Sequence, residues 1–136
     1  MGLDQYAMAV YPHRENSDFG YAWTNDESED KVHIIAQWRK HADLQGYMEE
    51  LFYAKKEQAG EPLERDWQTF NCQAVRLSFQ DLQDLENAVK AENLPHTTGF
   101  FFGESHPDDK KDTLKFIVEA RKAIAQDMEV YYDSWW

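Results

Sequence analysis

Residues 71–90, NCQAVRLSFQDLQDLENAVK, pass from an extended to a helical pattern without a single glycine. Val75, Leu77 and Phe79 alternate with polar neighbours, which predicts a strand over 71–79 with these three side chains on one face. Ser78 and Asp81 stand at capping-box spacing, and Leu82, Leu85 and Val89 then recur at helical intervals, predicting a capped helix with one buried stripe. A strand feeding a helix also suits a doubly wound parallel sheet, but that architecture places a glycine-rich turn at such a junction. Its absence favours an α+β fold with a mixed or antiparallel sheet.

Upstream, Leu3 to Tyr11 reads as a strand that Pro12 stops. Residues 13–30 form an acidic, polar excursion anchored by Phe19, Tyr21 and Trp23, long enough that part of it is either a second strand or functional. From Lys31 to Gln58 the apolar positions Ile34, Ile35, Trp38, Leu44, Met48, Leu51 and Phe52 suggest one helix, with Gly46 as a break and Gly60 as the stop. Downstream, Leu94-Pro95 ends the second helix. Thr97 to Phe102 reads as an inner strand, because three consecutive phenylalanines need cover on both faces. Ser105 with Asp108 repeats the capping-box spacing, Pro107 suits a first turn, and Leu114, Ile117, Val118, Ile124 and Met128 make the stripe of a third helix. Val130-Tyr131-Tyr132 closes the chain as an edge strand. The expectation is a single domain over 1–136, with about four strands covered by about three helices, and with Trp38, Phe101 and Leu114 in its core.

The formal net charge of −12 over 136 residues opposes attraction to nucleic acid or an anionic membrane and favours a basic partner. The lone cysteine, Cys72, cannot form an internal disulfide, which points to a reducing compartment; its place in the strand over 71–79 puts it in the core. The start has no basic leader followed by an apolar run, and no run of about eighteen apolar residues occurs, so neither secretion nor membrane spanning is expected and the cytoplasm is.

Four pieces of the chain, Gly2-Leu3-Asp4-Gln5-Tyr6, Trp38-Arg39-Lys40, Gly99-Phe100-Phe101-Phe102-Gly103 and Tyr131-Tyr132-Asp133-Ser134-Trp135, resemble an uncharacterised family of bacteriophages and bacteria. Its members typically open Met-Gly-Leu-Asp-x-Tyr and share the Trp-Arg-Lys and Gly-Phe-Phe-Phe-Gly motifs, in this order along almost the whole chain. The resemblance implies a phage protein acting in the host bacterial cytoplasm and carries no activity with it. Some members bear a phosphoglycerate kinase label, against which this sequence argues: it is too short for two nucleotide-binding lobes and has no phosphate-cradling Gly-x-x-x-x-Gly-Lys loop. Where the family commonly has a histidine in its first helix, this chain has Gln45.

Few constellations carry chemistry. Arg39 or Lys40 beside Trp38 either borders an anion-binding pocket with Asp4 and the Phe100 to Gly103 strand, or pairs internally with Asp4; the second reading is preferred. His106, Asp108, Asp109 and Asp112 have the composition of a divalent-metal site, yet their spacing fits the start of a helix better, so no metal or cofactor is expected. Gly103-Glu104-Ser105 does not extend to a nucleophile elbow, since Pro107 occupies the last position. Tyr131, Tyr132, Trp135 and Trp136 crowd the end of the chain and suggest an association surface, with a homodimer as one outcome. These readings favour a noncatalytic accessory protein that binds a host or phage protein; the alternative is a small enzyme or ligand-binding domain with its pocket near Asp4, Trp38, Arg39 and Phe100 to Gly103.

Overall fold

The computed structural model describes residues 2–21, 32–64, 66, 69–95, 97 and 105–136. Strand β1 (Asp4–Val10) alternates along its length: Gln5, Ala7 and Ala9 face one side, while Tyr6, Met8 and Val10 face the other. It pairs antiparallel on one flank with β2 (Val32–Arg39) and on the other with β4 (Glu129–Trp135). The short β3 (Val75–Leu77) pairs antiparallel with β4, giving the order β2-β1-β4-β3. Helices α1 (Ala42–Gln58), α2 (Phe79–Lys90) and α3 (Asp109–Ala125) all lie on the side of Gln5, Ala7 and Ala9. Their residues Leu44, Met48, Phe52, Leu82, Leu85, Val89, Phe116 and Ile117 form one core with Val75, Val130 and Tyr132. The fold is thus α+β: among the described residues, a four-stranded antiparallel sheet with three helices on one face.

The expected capping box at Ser78 and Asp81 is present with both reciprocal bonds, and Leu82, Leu85 and Val89 are the buried residues of α2. Phe79 opens that helix and is exposed, so the strand ends at Leu77. The outer edge of β3 is closed by its surroundings: the Arg76 amide donates to Asp18 O at 2.7 Å, and Lys55 Nζ donates to Arg76 O. An edge occupied in this way offers no template for another strand.

The single helix expected over 31–58 is corrected to a strand and a helix. The register between β1 and β2 shifts at Ala7/Met8, where Ala36 faces Ala7 and Ile34 faces Met8, so Ile35 is an extra residue in β2. This bulge breaks the period of two: Ile35, Ala36 and Trp38 reach the helical side, while Ile34 points outward and is exposed. Apolar residues at 34, 35 and 38 therefore imitate helical spacing. The strand ends at Lys40, whose φ of 59° turns the chain toward α1, and the Lys40 amide donates to Leu3 O at 2.9 Å. Gly46 sits inside α1 without breaking it, and a Cβ there would lie 1.9 Å from Thr97 Oγ1, so the glycine admits the close approach of Thr97. Lys40→Gly should raise stability by up to about 1 kcal/mol, because the left-handed conformation strains a residue with a Cβ. Urea unfolding will check it; a clear loss would mean that the Lys40 side chain makes a stabilising contact.

Three further expectations are corrected. β4 is interior, bonded on both sides, where an edge strand was expected. The buried residues of α3 are Thr113, Phe116, Ile117, Ala120 and Ala123, with Leu114, Ile124 and Met128 at the margin and Val118 exposed, because the helix turns the face of Phe116, Ile117 and Ala120 to the core. Cys72 is exposed, in a turn with φ 60°, its amide donating to Ser134 O at 2.9 Å. The strand expected over 97–102, apart from Thr97, lies outside the described residues, as does Phe101. Of the anchors in the excursion over 13–30, Phe19 packs edge-on against Phe52 and Tyr21 lies 5.1 Å from Tyr131; Trp23 lies outside the described residues.

Candidate functional site

The side of the sheet away from the helices is arranged in rows by register. Arg39, Asp4 and Trp135 form one row across β2, β1 and β4; Gln37, Tyr6 and Asp133 form the next; Ile34, Met8, Tyr131 and Arg76 form a third. The segment 16–21 covers the Arg76 end of this face. There Tyr131 Oη donates to Ser17 O at 2.7 Å, and Arg76 bonds both Asp18 and Glu129, at 2.6 and 2.8 Å. Burial pushes the Tyr131 phenol up to about 12, with Glu129 adding to the rise. The other half of the face is open: Trp135 is 49% exposed and Ile34 62%, and Gln37 and Arg39 are also exposed.

Trp135 is held in place on this open half. Its ring packs on Tyr6 with centroids 4.9 Å apart, and its Nε1 donates to Asp4 Oδ2 at 3.2 Å. Asp133 is half-buried beside them. Its carboxylate accepts from the Ser134 amide at 2.7 Å, and among the described residues no cation pairs with it. Burial raises its pKa above the usual carboxylate value, and the Tyr21 phenol rises too, through burial and then through Asp133.

The register brings together Asp4, Arg39 and Trp135, which the sequence nominated separately for different roles. It separates Trp38, which points into the core, from Arg39, which points outward, because neighbours on a strand face opposite ways. Among the described residues neither Arg39 nor Lys40 makes an ion pair with Asp4. A cavity of about 240 Å³ beside Trp38 is lined instead by Asp112, Lys115 and Phe116 along with β2. Tyr131 and Tyr132 are fully buried, so neither offers surface to a partner; Trp136 is partly buried, with its amide donating to Asn71 Oδ1 at 3.1 Å. Gln45, where the resemblance implies a histidine, is buried and accepts from Tyr132 Oη at 2.5 Å.

A second concavity, of about 280 Å³, lies where α1 and α3 begin, lined by His41, Asp43, Val89, Glu92, Leu94, Ser105, His106, Pro107 and Lys110. His41 is buried, with Nδ1 2.7 Å from Ser105 Oγ and 3.6 Å from Asp109 Oδ2. A serine–histidine relay needs the hydroxyl on one ring nitrogen and the acid on the other, whereas here both approach Nδ1. Ser105 Oγ also accepts from the Asp43 amide at 3.0 Å, so it caps α1 from across the fold and not α3 as expected. At α3 the His106 amide donates to Asp109 Oδ2 at 2.7 Å and the Asp108 amide to His106 Nδ1 at 3.2 Å. Asp112 is exposed in the first turn, and among the described residues no three metal-ligating side chains gather.

Burial holds the His41 pKa below its ordinary value of 6.5, against the opposing pull of Asp109, Asp43 and Asp112. The unfolded chain takes up that proton first, so stability should fall as pH drops through 6.5 toward the lower folded value. Asp81, lowered despite its burial by bonds to Lys55 and Ser78, gives up its contribution only in the carboxylate range, which separates the two effects. In His41→Asn, whose amide can still reach Ser105, the slope of melting temperature between about pH 5 and 6.5 should flatten. An unchanged slope would assign the titration to another group.

None of the described helices is long and apolar enough to cross a membrane. Searches against protein-family models, curated proteins and solved structures return no match to this chain.

Proposed function

We propose that this chain is a noncatalytic binding protein that engages a protein partner through the open half of the sheet's outer face. The observation that carries the reading is Trp135: a half-exposed tryptophan fixed by Tyr6 and Asp4 on a hydrogen-bonded strand, with Arg39 in the same row and the exposed Ile34 two rows away on the same face. Tryptophan, tyrosine and arginine dominate the energetic centres of protein interfaces, and a rigid platform loses little conformational freedom on docking. The charge of −12 favours a basic partner. The sequence resemblance suggests the setting, an accessory protein made during phage infection that meets a host or phage protein in the bacterial cytoplasm.

Capture with the tagged chain from cells that produce it tests the reading. A partner retained by the wild type should be lost, by more than about tenfold in affinity, from Trp135→Ala and from Ile34→Asp, since truncated interface anchors typically cost at least this much. A partner that ignores both changes but is lost on altering Lys110 or Leu94 would move the site to the cleft at His41, the place for the alternative small-ligand reading.

A further inference from the structure

We propose that Asp133, half-buried on the open half of the outer face, takes the guanidinium group of an arginine carried on an exposed basic segment of the partner, an inference that rests on the outer face being the binding surface. Asp133 lies opposite Tyr6 in the β1–β4 register, while Tyr131 and Trp135 stand two residues to either side on the same face of the strand. Tyr21 completes the surround, packed on Tyr131 and electrostatically coupled to Asp133. Tyr131 is fully buried and only backs this site; the half-buried carboxylate and the accessible rings of Tyr6, Tyr21 and Trp135 are the complement of an organic cation, with charge for the head group and ring faces for its plane.

The same face contains its own control. Glu129 and Asp18, the acids at the covered end, share Arg76, whose guanidinium bonds both. Asp133 has no such partner among the described residues. The fold thus answers one acidic site with an internal arginine and leaves the equivalent site open on its exposed half. Arginine fits better than lysine because a planar guanidinium can fork a carboxylate and stack on a ring at once, and it gives up its hydration more readily than an ammonium. An unpaired desolvated carboxylate also costs stability when charged, which a binding residue can carry and a structural one would not.

The test uses the intact chain and a short unstructured peptide with one arginine among glycines, together with its lysine and citrulline analogues and tetramethylammonium chloride, followed by amide NMR. The arginine peptide should shift residues 5–7 and 131–135, bind at least about tenfold more tightly than the lysine peptide, and lose binding with citrulline, which keeps the shape without the charge. Asp133→Asn should abolish the shifts while raising the melting temperature at neutral pH, a pairing that mere structural damage cannot produce. Equal binding of arginine and citrulline, unaltered binding by Asp133→Asn, or tighter binding of tetramethylammonium than of the peptide would each overturn the assignment. No binding of the arginine peptide, with partner capture still dependent on Trp135, would overturn the arginine site and leave the face reading standing; loss of both dependences would overturn both.

Discussion

Trp38→Ala is expected to lower the free energy of unfolding by about 3–5 kcal/mol, the range for truncating a large aromatic side chain in a packed core. Trp38 is only 4% exposed; its ring meets Phe116 edge-on at 5.1 Å and lies 6.3 Å from Tyr132. It therefore joins the edge strand β2 to α3 and to the interior strand β4, and the cavity left by truncation would open between three elements. Among the described residues the buried indole Nε1 has no hydrogen-bond partner, so the loss is one of packing. Trp38→Phe should retain much of the stability, since it sheds the unsatisfied donor while keeping a ring in the site. Urea midpoints at unchanged slope will measure both; a cost under about 1 kcal/mol for the alanine variant would show that the ring does not fill this core.

Gln5→Leu is expected to cost about 1–3 kcal/mol, although it exchanges a buried amide for an apolar side chain of similar size. Gln5 is fully buried: its Oε1 accepts from the His41 amide at 2.8 Å, and its Nε2 donates to His41 O at 3.0 Å and to Tyr132 Oη at 2.8 Å. The single side chain thus supplies partners to both backbone groups of His41, where the chain turns from β2 into α1. Removing it strands the His41 amide, a loss of about 1–3 kcal/mol, while the His41 carbonyl keeps its bond from the Gln45 amide and Tyr132 Oη keeps its bond to Gln45. Tyr132 remains a neutral donor throughout, because burial holds its pKa well above the ordinary phenol value. Equilibrium denaturation and hydrogen exchange at the His41 amide report on the same change; a nearly neutral substitution with the amide still protected would contradict the network.

Local signals explain most of what the sequence disclosed. β1 and α2 were legible because alternation, Pro12 and the Ser78–Asp81 box act within a few residues. β2 was misread because the bulge opposite Ala7 and Met8 is imposed by the partner strand and leaves a helix-like spacing in the chain that bears it. The interior place of β4 was hidden for a related reason: strand order is a property of pairs far apart in sequence, and four aromatics at a chain end look the same on an edge as in the middle. Asp4, Arg39 and Trp135 were each legible as candidates but not as one row, since only register sets them side by side. Asp133 went unnoticed, yet the signal was present: a single acid in a run of aromatics, at a position whose period-two neighbours are Tyr131 and Trp135, is a carboxylate destined for an aromatic surround.

The central claim is that the open half of the sheet's outer face is where a protein partner docks. Site-specific photo-crosslinking measures this directly, with the crosslinker placed at Gln37, exposed in the row of Tyr6 and Asp133, or at Glu57, exposed near the end of α1 on the helical side. On irradiation in cells, the account predicts a discrete adduct from position 37, suppressed by Trp135→Ala, and none from position 57. An adduct from position 57 with none from position 37 would place the partner on the helices and contradict the account.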